Sequence, residues 1–410
     1  MKYLWYSDWV FSAPSYTLLL LFTIIQKNKL CVHGTSEDIC KNIMWTCDVW
    51  LFCSDSILSL FFSTMDSLEA SCRDILMKNL SYTNGPLFLL YDTASPLALR
   101  LSQAFFAVIP PHAVRREFLS LPNLLSSSQW ENDVNEEILA LTSELRSLRR
   151  GSTVILIQST NFRLSDFRIR LELFHRGVAV AEFNHLAYIP LSEISTFEAS
   201  LEYHTPTYFR QEQACAVLAA NAAHTEIVAP WWSLLTFWRL DRIYGNTGDY
   251  SNSENTWGTF PIGEIFTEAI DLESVNGVAI VEAFPNEDFS VNHTTPFAIH
   301  IRNGRVERGD HFPPLFLALY DRIFASEWEV FVRELGFGLN RAISRDTPLS
   351  DINFYERKVW VHLSLGKKHQ IFGKKLPKTE KQRFHIDIFL SVQSVRIGKT
   401  EVFYDEKWKF

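Results

Sequence analysis

The sequence predicts an α/β N-terminal domain with a mainly parallel sheet, followed by an α+β, strand-rich C-terminal domain. Between Met65 and Asn221, short apolar runs alternate with amphipathic segments of helical period, the pattern of strands joined by crossover helices. From Ala222 onward the chain is rich in strand-like runs, with Asn303-Gly304, a strong hairpin signal, between two of them. A chain of 410 residues is long enough for two domains that each bury a core. The expected segments are therefore 1–64, 65–221 and 222–410.

The first segment stands apart. It holds four of the twelve tryptophans and four of the six cysteines (Cys31, Cys40, Cys47 and Cys53), with few charges and no clean period. An apolar run at Val10–Ile25 is broken by Pro14, is short for a membrane span, and is not followed by an Ala-x-Ala-like cleavage site. At Met65 the texture changes: Asp66 to Glu69 has the form of a capping box, and Leu68, Cys72, Ile75 and Leu76 follow at helical spacing. A domain is expected to start there, with 1–64 as an extension.

In the second segment Pro86–Tyr91 reads as a buried strand. Ser95-Pro96 gives an N-cap and first helical residue for Leu97–Val108, stopped by Pro110-Pro111. Val134, Ile138, Leu141, Leu145 and Leu148 mark one face of a helix, ended by Gly151, and Thr153–Gln158 is a strand. Ser165–His175 and Val178–Glu182 repeat the helix–strand order about Gly177, and Ser195 to Glu198 gives a second capping box. In the third segment Pro230-Trp231-Trp232 and Gly245–Asn255 read as irregular connections. Strands are expected at Gly277–Ala283, Pro296–Arg302, Arg305–Glu307, Glu329–Leu335, Lys358–Leu363 and Phe384–Leu390, and a helix at Leu315–Phe324.

A net charge of −8 argues against a general nucleic-acid binder and suits a protein that collects divalent cations. There is no Cys-x-x-Cys pair for a zinc knuckle, and beyond the first segment only Cys72 and Cys215 remain. That usage points to a reducing, cytoplasmic compartment without a disulfide framework. No Gly-x-Ser-x-Gly elbow and no Gly-x-Gly-x-x-Gly fingerprint is present, and Gly398-Lys399-Thr400 lacks the leading glycine of a phosphate loop.

Metal-ligand residue types gather in the third segment. Pro261 and Gly263 make a turn that delivers Glu264. His385 and Asp387 are two apart, so on a strand both point to one face and reach the same ion. Glu334 is followed by Gly336 and Gly338, which permit close approach, and His362 sits in an apolar strand. Each has an ordinary alternative: a solvated glutamate, a core histidine, a structural His–Asp hydrogen bond.

The blocks Gly263-Glu-Ile-Phe-Thr267, Glu334-Leu-Gly-Phe-Gly-Leu-Asn340, His362-Leu-Ser-Leu-Gly366 and His385-Ile-Asp387 stand in the order of motifs of the thermophilic aminopeptidase family. From Met65 to its end the chain resembles a divergent branch of that family, dinuclear metallopeptidases whose C-terminal domain carries the metals. The resemblance implies two divalent ions (zinc, cobalt or manganese), with Glu264 bridging, Glu334 and His362 on one ion, and His385 and Asp387 on the other. It implies peptide substrates, catalysis involving Glu264 and Glu334, and a homodimer; neither nucleic acid nor membrane is expected as a partner. At the position of a family tyrosine that assists the reaction, this chain has His369, read as a substitute donor, as an extra ligand, or as a surface residue of the basic loop Lys367–Arg383. The cluster Trp231, Trp232, Phe237 and Trp238 is expected in a core or dimer interface. A non-peptidase scaffold and a hydrolase of another amide are the competing functions.

Overall fold

Short β-branched and leucine-rich runs flanked by helices fold as expected. A computed structural model describes residues 67–117, 136–160, 169–250, 256–369, 371–372, 375–377 and 380–410; the expectations for 1–64 lie outside them. The described residues fall within one compact unit, Met65–Phe410. Helix α1 (67–74) runs into a π-helical turn at Ile75–Asn79 and buries the predicted stripe of Leu68, Cys72, Ile75 and Leu76. Then follow β1 (Leu87–Tyr91), α2 (Pro96–Val108), β2 (Val114–Glu117), α3 (Glu136–Ser147), β3 (Thr153–Ile157), α4 (Ile169–His175) and β4 (Ala179–Phe183). Ser95 caps α2 by accepting from the Ala98 amide at 3.2 Å.

The alternation of side chains along these strands divides the core in two. Leu87, Leu89, Ile155, Ile157 and Phe183 pack with Leu97, Leu101 and Phe105 of α2. Leu90, Val154, Leu156 and Val180 pack with Leu145 of α3, Leu148 just beyond it, and Ile169 and Leu173 of α4. With both faces covered, the central strands β1 and β3 are nearly continuous apolar runs, as buried parallel strands are, while the edge strand β2 is polar and exposed; each fully buried Leu, Ile or Phe is worth about 1.5–3 kcal/mol.

The chain continues through α5 (Ile194–Ser200), α6 (Thr205–Asn221), β5 (His224–Val228), β6 (Leu234–Trp238), β7 (Tyr244–Asn246) and β8 (Trp257–Thr259). Strand β8 returns to the first sheet, pairing parallel with β4, so this sheet has five parallel strands in the order β2-β1-β3-β4-β8. Beyond it lie β9 (Glu264–Thr267), β10 (Asn276–Pro285), β11 (Val291–Arg302), β12 (Arg305–Val306), α7 (Pro314–Glu327), β13 (Val332–Gly338), α8 (Ile352–Tyr355) and β14 (Val361–Leu365). The chain ends with β15 (Ile386–Leu390), β16 (Ser394–Ile397), β17 (Thr400–Tyr404) and β18 (Lys407–Trp408). Strands outside the first sheet form a large antiparallel sheet in which β15, β14, β13 and β9 are consecutive neighbours. Asn303 and Gly304 join β11 to β12 with φ of 49° and 72°, the left-handed pair that a two-residue hairpin needs.

Several expectations shift. The strand at Glu329–Leu335 lies at Val332–Gly338, and the one at Lys358–Leu363 at Val361–Leu365, because α8 and its following turn take the chain to Lys358. The second capping box does not form: α5 starts at Ile194 without a side-chain cap, and Glu198 pairs with Arg100 instead. Strands β5 and β6 were not expected; they flank the irregular connection expected at Pro230-Trp231-Trp232. Of the aromatic cluster, Phe237 is core, whereas Trp231 is 73% exposed and Trp238 56%. Cys72 and Cys215 are free and buried. Among the described residues no helix is long and apolar enough to cross a membrane.

Candidate metal centre

Four neighbouring strands carry the predicted ligands onto one face. Gly263, at φ 111°, makes the turn before β9 and gives its carbonyl to the Leu339 amide at 2.8 Å, fixing Glu264 opposite Gly338. Antiparallel register sets Glu334 opposite Ser364, Gly336 opposite His362, and Ser364 opposite Asp387. A Cβ on Gly336 would stand 2.0 Å from His362 Nε2, so glycine there lets the imidazole lie across β13. Gly338 has a similar role, since a Cβ would meet the Lys358 carbonyl oxygen at 1.8 Å.

All five ligand candidates come together. One ligand atom each from Glu264, Glu334 and His362 lies within 4.8 Å of the others, and the same holds for Glu334, His385 and Asp387. His362 Nε2 is 3.2 Å from Glu264 Oε1 and 3.6 Å from Glu334 Oε1. His385 Nε2 is 3.9 Å from Glu334 Oε2 and 3.5 Å from Asp387 Oδ1. Glu334 is the carboxylate common to both groups, whereas Glu264, expected as the bridging ligand, stands in the first. The buried guanidinium of Arg357 donates to Glu264 Oε2 at 2.6 Å, and Oε1 faces His362.

His369 is not a surface residue of a basic loop. It is buried, with Nε2 2.7 Å from Glu334 Oε2. Its Nδ1 accepts the Phe372 amide at 3.4 Å, so Nδ1 holds the lone pair and Nε2 carries the proton. His385 takes the opposite tautomer: Nδ1 lies 3.1 Å from the Lys368 carbonyl, to which it donates, leaving the Nε2 lone pair for a cation. The geometry leaves His385 with an open Nε2 lone pair and His369 with an Nε2 proton. Two of the loop's lysines are drawn into ion pairs, whereas Lys368 and Lys381 are exposed. Lys367 pairs with Glu329 and Glu380, and Lys375 with Asp241 and Glu268. They line a cavity of about 320 Å³ whose charges are already matched.

Two residues missed in the sequence complete the centre. Glu356 pairs with Arg357 and hydrogen-bonds Asp387. Their signal was a charged pair just ahead of an apolar strand that holds a histidine; it was masked by reading that strand as starting at Lys358. The electrostatics are those of crowded carboxyls around few cations. Burial pushes Glu334 up, but hydrogen bonds from His362 and His369 outweigh it and hold the carboxyl well below its usual range. Burial would lower His362, yet contacts with Glu264 and Glu334 raise it well above an ordinary imidazole. Asp387 is raised by burial, lowered by the charge on His362 and raised again by Glu334 and Glu264, to about 7.

Among the described residues, His362 Nε2, His369 Nε2 and Asp387 Oδ1 are buried without a well-aligned hydrogen-bond partner, although His362 and His369 have carboxylates close by. Buried polar atoms are nearly always partnered. An imidazole nitrogen and a carboxylate oxygen left open beside further carboxylates fit divalent cations, which accept mixed nitrogen and oxygen donors.

Scans of the sequence against protein families and against curated proteins give no match. Solved structures do match in fold. A 2,5-dihydroxypyridine dioxygenase from Pseudomonas putida KT2440 aligns with a TM-score of 0.55 at 14% identity, covering 84% of this chain and 97% of that one. AmpT from Thermus thermophilus aligns with a TM-score of 0.55 at 12% identity, covering 84% of this chain and 99% of AmpT. The chain shares the fold of these proteins.

Proposed function

We propose that the protein is a metal-dependent aminopeptidase, a hydrolase that removes N-terminal residues from peptides with two divalent ions of zinc, cobalt or manganese. One observation carries the reading: two ligand groups, Glu264/Glu334/His362 and Glu334/His385/Asp387, share a single carboxylate. Metal ions held by these residues would supply an activated water near neutral pH and polarisation of a carbonyl oxygen. The chain's own residues supply the rest. Glu334 is the shared ligand, Arg357 holds Glu264 to one free oxygen, and His369 offers an N–H donor beside Glu334. His385, 33% exposed, marks the side open to a peptide.

The same fold serves a dioxygenase, so fold alone does not select hydrolysis; the paired ligand groups and the aminopeptidase-like motifs support it. In this reading the enzyme is a cytoplasmic homodimer with peptides as partners.

Metal analysis of protein purified without chelator tests the centre: close to two ions per chain are expected. A protein that takes up no zinc, cobalt or manganese at saturation is a scaffold instead. Aminoacyl-amide substrates compared with N-blocked peptides test the activity. Cleavage of free N-termini alone is expected; equal cleavage of both would point to a hydrolase of another amide, and oxygen uptake without cleavage would end the peptidase reading.

A further inference from the structure

We infer that Glu327 is a positioning residue for the second cation, the one assigned to Glu334, His385 and Asp387. This rests on the two-ion reading above. Glu327 ends α7, is 1% exposed and stands in neither ligand group. Its Oε2 accepts the Lys367 amide at 2.7 Å, and its Oε1 accepts the amides of Arg383 at 2.5 Å and Phe384 at 2.8 Å. These three amides stand at the two ends of the segment between β14 and β15. Lys367 is two residues before His369, and Phe384 is the residue before His385. One carboxylate thus ties together the backbone stretches that present the donor histidine and the ligand histidine.

Arg333 completes the clamp with the opposite polarity. Next to Glu334 on β13, its guanidinium donates to the carbonyls of Lys367 at 2.6 Å and Phe372 at 3.2 Å, and to Glu268 at 3.0 Å. Between the clamped ends, the Lys368 amide donates to the Phe384 carbonyl at 3.0 Å, and the Lys368 carbonyl receives His385 Nδ1. That last contact sets the tautomer that frees Nε2. The path from Glu327 to a ligand lone pair is therefore short: carboxylate, Phe384 and Lys367 amides, Lys368 carbonyl, imidazole. The first group has no such dependence, since Glu264, Glu334 and His362 all sit on strands β9, β13 and β14.

Glutamine at 327 keeps the shape but turns an N–H₂ toward one set of amides, so at least one end of the segment loses its acceptor. Calorimetric titration of the full-length apo protein with cobalt(II), together with its visible absorption spectrum, tests the inference. Wild type is expected to bind in two steps. Glu327→Gln should keep the first step within about threefold and weaken the second about 10–100-fold, the usual effect of losing a partner behind a metal ligand. Glu327→Asp, which keeps a carboxylate at shorter reach, should give a smaller loss confined to the second step, and it carries the test if the glutamine variant does not fold. Two unchanged steps, or equal weakening of both, overturn the inference and leave the two-ion centre standing. A wild type without a second step overturns both.

Discussion

Two buried carboxylates, Asp92 and Asp387, show how the two sheets differ. Asp92 follows β1 at the point where the strand order of the parallel sheet reverses, between β1 and β3, the crevice where open α/β sheets take ligands. Here the crevice is closed from within. Asp92 Oδ2 accepts the Ser159 amide at 2.7 Å, and Oδ1 accepts the Ser159 hydroxyl and the Ala94 amide. Every acceptor is used, and Ser159 in turn reaches the helix cap Ser95 at 3.0 Å. Asp387 has an oxygen with no partner and shares its surroundings with two more carboxylates and two imidazoles. The first cluster is complete as it stands; the second keeps an open oxygen among residues that could hold cations. Satisfaction of polar atoms, rather than fold position, separates the structural cluster from the candidate site.

The contrast is broken most sharply by exchanging the roles. Glu334→Gln removes the carboxylate common to both ligand groups, and we predict loss of bound metal with at least about a 10³-fold fall in peptide hydrolysis, about 4 kcal/mol of barrier. Elemental analysis and a kcat/KM measurement check this; two ions retained per chain would remove Glu334 from the shared position. Asp92→Ala should do the reverse. It strands the Ser159 and Ala94 amides, so unfolding in urea should show a loss of about 3 kcal/mol, with metal content unchanged. A metal deficit in the folded Asp92 variant would mean that the parallel sheet contributes to the site.

How far each region was legible follows from the same difference. Alternation and capping at Ser95, Pro96, Gly151 and Gly177 expose the α/β half, because local propensity and burial agree there. The five ligand candidates were legible as residue types beside turns and glycines, since Gly336 and Gly338 are required by the packing of His362 and the Lys358 backbone. The buried pair of Glu264 with Arg357 was not, because it spans 93 positions of sequence. Glu327 was hidden for the same reason: an acid at a helix end looks solvated until its three amide partners, 40 to 57 residues away, are placed. Strand β6 was obscured by exposed Leu234 and Trp238 at its two ends, which blur the alternation that marks a half-buried strand.

His369 sharpens the comparison at a single atom. Its Nδ1 is occupied by the Phe372 amide, so the proton on Nε2 makes it a donor at the centre rather than a ligand. His369→Ala should therefore lower kcat about 10²-fold, the scale of one positioned proton donor, while the number of bound ions stays the same. A fall in metal stoichiometry, with turnover per bound ion preserved, would make His369 a ligand and reverse the tautomer assignment.

The smallest effect is on pH dependence, and it has opposite signs for stability and for metal binding. Asp387 is raised to about 7 in the metal-free protein, so between its ordinary value near 4 and about 7 the folded state holds a proton that the unfolded chain has released. The stabilisation from this group is fully present at acid pH and is lost as pH rises through about 7. The same proton competes with the second cation. Metal affinity should accordingly strengthen about tenfold per pH unit from 5.5 to 6.5 and level off above about 7, provided no other ligand titrates in that window. Calorimetry across that range, on wild type and on Glu264→Gln, reads the slope of the second group with the first disabled. An affinity independent of pH below 7 would show that Asp387 is already ionised in the apo centre, and that no proton has to leave it before a cation binds.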